Sequence, residues 1–243
     1  MKPAFGTLRT FEDAAALAQA GAQYLCDLAV GNAGRTIVAL SGGNTPKPLY
    51  ELLAQEPIKS RLPWDRVHWV LGDERFVPPT DPASNFGMAR AAFLGHVPAP
   101  AGNVHPVETE GVTLQQAADR YEAMLKGLYG AGTLEAGRPL LNLTLLGLGE
   151  DGHTASLLPG EPVLQERNRW VAAVPKGREE ERITLTYPAL DSSSVVAFLV
   201  AGEGKREILD KILSGGANVP AAYIRPVGEV IWFADRAAAG CWA

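Results

Sequence analysis

Four short apolar runs most constrain what this chain can fold into: Thr36–Leu40 (TIVAL), Val67–Leu71 (VHWVL), Leu141–Leu146 (LNLTLL) and Ser194–Val200 (SVVAFLV). None is long enough for a helix, and none alternates strictly between apolar and polar residues. Runs of this kind, rich in branched and aliphatic side chains, are strands covered on both faces, as in a parallel sheet. Each gives way within two residues to a glycine.

Helical spacing fills much of the chain between them. Residues 10–30 predict an opening helix with Thr10 as N-cap and Phe11, Ala14, Leu17, Ala18, Leu25 and Leu28 on one stripe. Pro46 opens a second helix, PKPLYELLAQ, and a third covers Asn85 to Leu94. Thr113–Tyr129 carries a capping box, Thr113 with Gln116, and stops at Gly130. A last helix runs from Lys205 to Leu213. Trp170–Val174, Ile183–Thr186 and Glu229–Phe233 read as further strands, and GDERFVPPTDPAS after Leu71 as a loop. The two longest loops, Phe76–Ala83 and Pro175–Glu181, lack linker composition. The expected architecture is α/β: a single domain over residues 1–243, with an open, mostly parallel sheet, helices on both faces and a Rossmann-like topology.

Composition excludes several functions. With 22 Lys+Arg against 27 Asp+Glu, a net charge of -5 and no basic run of five, the chain offers no footprint for nucleic acid. The longest apolar stretch, Val195–Ala201, is far short of the ~20 residues that span a bilayer, and Glu12 and Asp13 interrupt any secretory core. Cys26 and Cys241 lie in apolar surroundings and read as separate thiols in a reducing compartment, so a cytoplasmic location is expected. The four histidines are too scattered for a metal site, and no segment demands an obligate protein partner.

In parallel sheets ligands bind beyond the carboxyl ends of the strands, so chemistry should lie just after each run. Ser41, Gly42, Gly43, Asn44 and Thr45 follow the first: an ordinary capped turn, or a cradle whose glycines let N–H groups approach an anion. Asp73, Glu74 and Arg75 follow the second, as a solvated ion pair or as ligand contacts, Arg75 offering a fork for phosphate. After the third comes Gly147-Leu148-Gly149-Glu150-Asp151-Gly152-His153-Thr154. Its G-x-G-x-x-G lacks the acid expected ~20 residues on for a dinucleotide site, so no nicotinamide cofactor is implied. Its glycines better serve to present Asp151 and His153 to a cleft. After the fourth, Lys205 and Arg206 begin a helix, where cations oppose the dipole; Glu203 and Glu207, or a bound phosphate, would compensate.

Together SGGNTP (41–46), DERFVP (73–78), SN (84–85), GLGEDGHTASLLPG (147–160), RITLT (182–186) and GEGKREIL (202–209) resemble the 6-phosphogluconolactonase family, which is related in fold to glucosamine-6-phosphate deaminase. The resemblance covers nearly the whole chain. It implies cofactor-free hydrolysis of the δ-lactone of 6-phosphogluconate, a sugar-phosphate lactone, in the oxidative pentose phosphate pathway. His153 would be the general base and Asp151 its partner; Ser41 to Thr45, Asp73, Arg75, Gly152, Arg182 and Lys205 would bind substrate. The deaminases carry a tyrosine after Asp-Glu and a ring-opening glutamate in the block after the histidine, where this chain has Arg75 and Leu158. The alternatives are an aminosugar-phosphate deaminase/isomerase and a non-catalytic sugar-phosphate sensor.

Overall fold

In a computed structural model describing residues 3–243, the four diagnostic runs form four contiguous strands of one sheet. The elements are β1 (Thr7–Phe11), α1 (Ala14–Gly31), β2 (Thr36–Leu40), α2 (Lys47–Leu53), α3 (Ile58–Arg61), β3 (Val67–Leu71), β4 (Asp73–Arg75), α4 (Asn85–Ala89), α5 (Leu114–Tyr129), β5 (Leu143–Gly147), β6 (Val171–Val174), β7 (Arg182–Leu185), α6 (Tyr187–Asp191), β8 (Val195–Val200), α7 (Arg206–Leu213), β9 (Glu229–Asp235) and α8 (Arg236–Ala239). The main sheet has six strands in the order β1-β9-β8-β5-β2-β3, and every neighbouring pair is parallel. Every residue of β2 and β8 is buried. Successive side chains point to opposite faces, so both faces of the sheet are covered, as the apolar runs require.

The capping box of α5 forms as the sequence dictates, and Gly130 ends the helix in the left-handed region at φ 80°. At the N-terminus the expectation fails. Thr10 and Phe11 belong to edge strand β1, paired with β9, and Asp13 caps α1 by accepting the Ala16 N–H at 2.8 Å. Phe11 stacks on Phe233 of β9, centroids 5.6 Å apart. Strand pairing and that aromatic contact outweigh the helical spacing that enlisted Phe11. Pro46 sits at the cap of α2, one residue before its first turn.

The larger correction concerns the segment read as a loop after Leu71. Residues 73–75 form β4, which joins β7 and β6 in a second, antiparallel sheet of three strands in the order β4-β7-β6. Leu185 N–H donates to Gly72 O and Phe76 N–H to Glu181 O, both at 2.8 Å, continuing the ladder at either end. No period-2 apolar pattern marks DER as a strand, because Asp73 and Arg75 face a cleft and the residue between them is the buried, hydrogen-bonded Glu74.

Candidate active site

After β2 the chain moves outward to β3, then returns to place β5 on the other side of β2. Loops leaving β2 and β5 therefore diverge and open a crevice at the sheet's carboxyl edge, the usual ligand position in such folds. That crevice is a cavity of ≈ 350 Å³. The turns after β2 and β5 form two of its sides, and β4, β7 and the start of α7 complete it.

One wall is a histidine–carboxylate pair. His153 Nδ1 lies 2.6 Å from Asp151 Oδ1, and the His153 backbone N–H donates to the same oxygen at 3.2 Å. Gly149 makes this possible: a Cβ there would stand 2.0 Å from His153 Nδ1 and 2.6 Å from Asp151 Oδ1. The second glycine of G-x-G-x-x-G thus makes room for the chain's own side chains. Asp151 Oδ2 accepts from Arg178 Nη2 at 2.6 Å. That guanidinium also approaches His153 Nδ1 at 3.1 Å. It has donors only, so it cannot share a hydrogen bond with an Nδ1 that gives its proton to Asp151. We assign the Nδ1–H tautomer, which leaves the Nε2 lone pair free. Burial alone would raise the Asp151 carboxyl, but hydrogen bonds from the His153 ring and backbone, with the charges of His153 and Arg178, hold it below the usual carboxylate range.

The opposite wall is cationic. In the β4–β7 ladder Arg75 stands across from Arg182, an arrangement in which like charges repel. Burial first, and then the Arg75 charge, push the Arg182 guanidinium down against the pull of Asp73. Arg182 donates through Nε to Gly177 O at 2.7 Å and reaches Glu180 at 3.4 Å. Arg75 Nη1 donates to Ala83 O at 2.7 Å and to Asn85 Oδ1 at 2.9 Å, and its buried Nε has no partner. At α7, Glu203 pairs with Arg206 at 3.1 Å. Among the described residues neither Arg75 nor Lys205 forms an ion pair. In the turn after β2, Ser41 N–H donates to Tyr50 Oη at 2.9 Å and Tyr50 O–H to Ser41 O at 2.8 Å. The next four N–H groups, of Gly42, Gly43, Asn44 and Thr45, find no acceptor among the described residues. Two guanidiniums, an ammonium and free amides around one cavity make an anion site.

Glu74 organises this wall from beneath. Nearly fully buried, it accepts from the N–H groups of Arg75 (2.8 Å), Asn85 (2.7 Å) and Phe86 (2.8 Å) and from the Ser84 hydroxyl (3.1 Å). Burial pushes its carboxyl up, those three N–H groups pull it down and Asp73 pushes it up again; the net direction is upward. Asp73 Oδ2 accepts from Ser156 Oγ at 2.6 Å, tying β4 to the turn that carries His153.

Every residue expected at the site lines the cavity except Asp151 and Gly152. Asp151 reaches it only through His153. Gly152, expected among the substrate contacts, instead turns the backbone at φ 78° and packs against Val219, where a Cβ would lie 2.4 Å from the valine Cβ. Leu158 is buried and outside the lining, so of the two departures from the deaminase pattern Arg75 is the one in the cavity. Sequence reasoning missed Asn85, Thr154 and Ala155 as lining residues and Ser156 as the Asp73 donor. The only signal was their place in the SN and HTAS segments. Among the described residues no three His, Cys, Asp or Glu side chains are grouped to hold a metal.

The chain matches the family model described as glucosamine-6-phosphate isomerases/6-phosphogluconolactonase over residues 12–232. It is 42% identical over 215 residues to a 6-phosphogluconolactonase of Nostoc sp., covering 87% of each chain. It is 36% identical over 250 residues to a 6-phosphogluconolactonase of Rattus norvegicus, covering 98% of this chain and 94% of the other. The fold superposes on a 6-phosphogluconolactonase from Trypanosoma cruzi with a TM-score of 0.84 at 28% identity, covering 97% and 96% of the two chains. The chain belongs to the glucosamine-6-phosphate isomerase/6-phosphogluconolactonase family.

Proposed function

We propose that this protein hydrolyses 6-phospho-D-glucono-1,5-lactone to 6-phosphogluconate, with residues 1–243 acting as one lactonase domain. The observation that carries the reading is the juxtaposition, in one cavity, of a histidine paired with a carboxylate at 2.6 Å and a cationic wall on which Arg75 and Lys205 form no ion pair among the described residues. The lactonase relatives support the same reading, and the deaminase alternative is not favoured. A sensor would have no use for the pair.

The 6-phosphate rests among Arg75, Arg182, Lys205 and the amides of residues 42–45. Neutral His153 takes a proton from water through Nε2 as the water oxygen attacks the lactone carbonyl. Asp151 holds the ring by Nδ1–H and stabilises the imidazolium that forms. The tetrahedral oxyanion collapses, the bond from the carbonyl carbon to the ring oxygen breaks, and the imidazolium returns its proton to that oxygen. Lactone and water become hydroxy acid with no cofactor. A cytoplasmic location is part of the reading, supported by the two free thiols; no helix among the described residues is long and apolar enough to cross a membrane.

The deciding experiment offers the purified protein 6-phosphogluconolactone and glucosamine 6-phosphate in parallel. Acid release from the first above the spontaneous rate is expected. Ammonia release from the second without lactone hydrolysis would overturn the assignment.

A further inference from the structure

Asp73 and Arg75 lie two residues apart on β4, so their side chains leave the same face of the strand, and both line the cavity. Opposite charges so placed, with Asp73 buried, attract. Yet they do not pair. Arg75 gives its hydrogen bonds to the neutral acceptors Ala83 O and Asn85 Oδ1. Asp73 takes its shortest from the Ser156 hydroxyl, at 2.6 Å.

Between them stands the side-chain amide of Asn85. Its Nδ2 donates to Asp73 O at 2.8 Å and to Asp73 Oδ1 at 3.4 Å, while its Oδ1 accepts from Arg75 Nη1 at 2.9 Å. The opposite amide orientation would set the oxygen against two acceptors and the NH₂ against a guanidinium, so only this one satisfies both neighbours. The amide is buried and its backbone N–H is fixed by Glu74 at 2.7 Å. It presses so closely on Gly42 that a Cβ there would lie 1.8 Å from Oδ1. The first glycine of the turn after β2 therefore makes room for Asn85, whereas Gly43, at φ 94° with open space around it, serves the turn itself.

We infer that Asn85 is a positioning residue: a neutral wedge with a donor turned to the carboxylate and an acceptor to the guanidinium, which keeps Arg75 from neutralising itself on Asp73 and so available to the substrate's phosphate. The inference rests on the assignment of Arg75 as a phosphate ligand. It explains why Arg75, across the ladder from Arg182, forms no ion pair with the nearby Asp73 and leaves its buried Nε unpartnered. A shorter side chain at 85 lets the two charges collapse together. A carboxylate there captures Arg75 directly.

The test is calorimetric titration with the product, 6-phosphogluconate, on variants whose folding is followed by thermal melting. Asn85→Ala and Asn85→Ser should each weaken binding roughly tenfold or more. The isosteric Asn85→Asp, which keeps the shape of the site, should weaken it at least as much. Adding Asp73→Asn to Asn85→Ala should restore most of the lost affinity, because a neutral residue 73 no longer holds Arg75. A purely structural defect at 85 has no reason to be repaired by removing that charge. Near-wild-type binding by Asn85→Asp, or a double variant that binds no better than Asn85→Ala, would overturn the inference. Arg75→Gln separates the two levels: if it binds product like the wild type, the phosphate assignment falls, whereas if it binds weakly and Asn85→Asp does not, only the wedge falls.

Discussion

The two walls of the cavity are built in opposite ways. The pair His153–Asp151 rides on a glycine-rich turn: the Asp151 side chain is 42% exposed and that of His153 22%. The cations Arg75 and Arg182 stand on a sheet ladder above the buried carboxylate of Glu74. On the proposed mechanism the first wall carries a charge that appears and vanishes in each turnover, which calls for a free Nε2 and a carboxylate that stays ionised. On the same mechanism the second must keep Arg75 and Lys205 free of ion-pair partners, which costs stability and needs rigid neutral neighbours. The proposed mechanism thereby puts acid–base chemistry and phosphate affinity on different segments, which should fail separately.

The largest expected effect is on the first wall. His153→Asn keeps size and polarity but removes the base, so turnover should fall about 10²- to 10⁴-fold while affinity for 6-phosphogluconate is nearly retained. The spontaneous opening of the lactone must be subtracted. A folded variant with wild-type turnover would remove this histidine from the mechanism. On the second wall, Lys205→Ala deletes an ammonium that has no ion-pair partner among the described residues. Loss of a charge-assisted contact worth about 1.5–3 kcal/mol should raise KM roughly 10- to 100-fold with kcat little changed. A fall in kcat at constant KM would assign Lys205 to the chemistry instead.

The smallest effect sharpens the contrast by using histidines outside the cavity. His68 and His105 stack, with Nδ1 and Nε2 3.0 Å apart. Burial, then His68, then Arg35 push His105 down to about 4, and burial and Arg35 lower His68 too. A depressed histidine binds fewer protons folded than unfolded, so stability is full above about 6.5 and is lost as pH falls from there towards 4. His105→Gln should flatten the decline of Tm over that interval and leave turnover at neutral pH unchanged. An unaltered decline would show that the pair does not titrate in this way.

The parallel sheet was legible because β2, β3, β5 and β8 are uninterrupted apolar runs, and their carboxyl ends pointed to the turns that bear His153, the residue 41–45 amides and Lys205. Illegible were β1, whose pairing with β9 is a long-range contact hidden behind local helical spacing, and β4, where Asp73 and Arg75 face a cleft and Glu74 is a buried carboxylate. Missing β4 meant that the Arg75–Arg182 register and the Asn85 amide between Arg75 and Asp73 could not be read. Asn85 and Ser156 both act on the Asp73 carboxylate, Asn85 from 12 residues away in sequence and Ser156 from 83. Gly149 and Gly42 were visible as glycines, but only the structure shows that the close neighbours they admit are His153 with Asp151, and Asn85.

The most direct test of this division of labour is the ratio of kcat/KM for phosphorylated over unphosphorylated gluconolactone, measured on the wild type, His153→Asn and Arg75→Gln. Loss of the base should depress both substrates alike and leave the ratio near its wild-type value. Loss of Arg75 should collapse the ratio by roughly tenfold or more while hydrolysis of the unphosphorylated lactone persists. A ratio unmoved by Arg75→Gln, or one that falls in His153→Asn, would contradict the separation of the two walls.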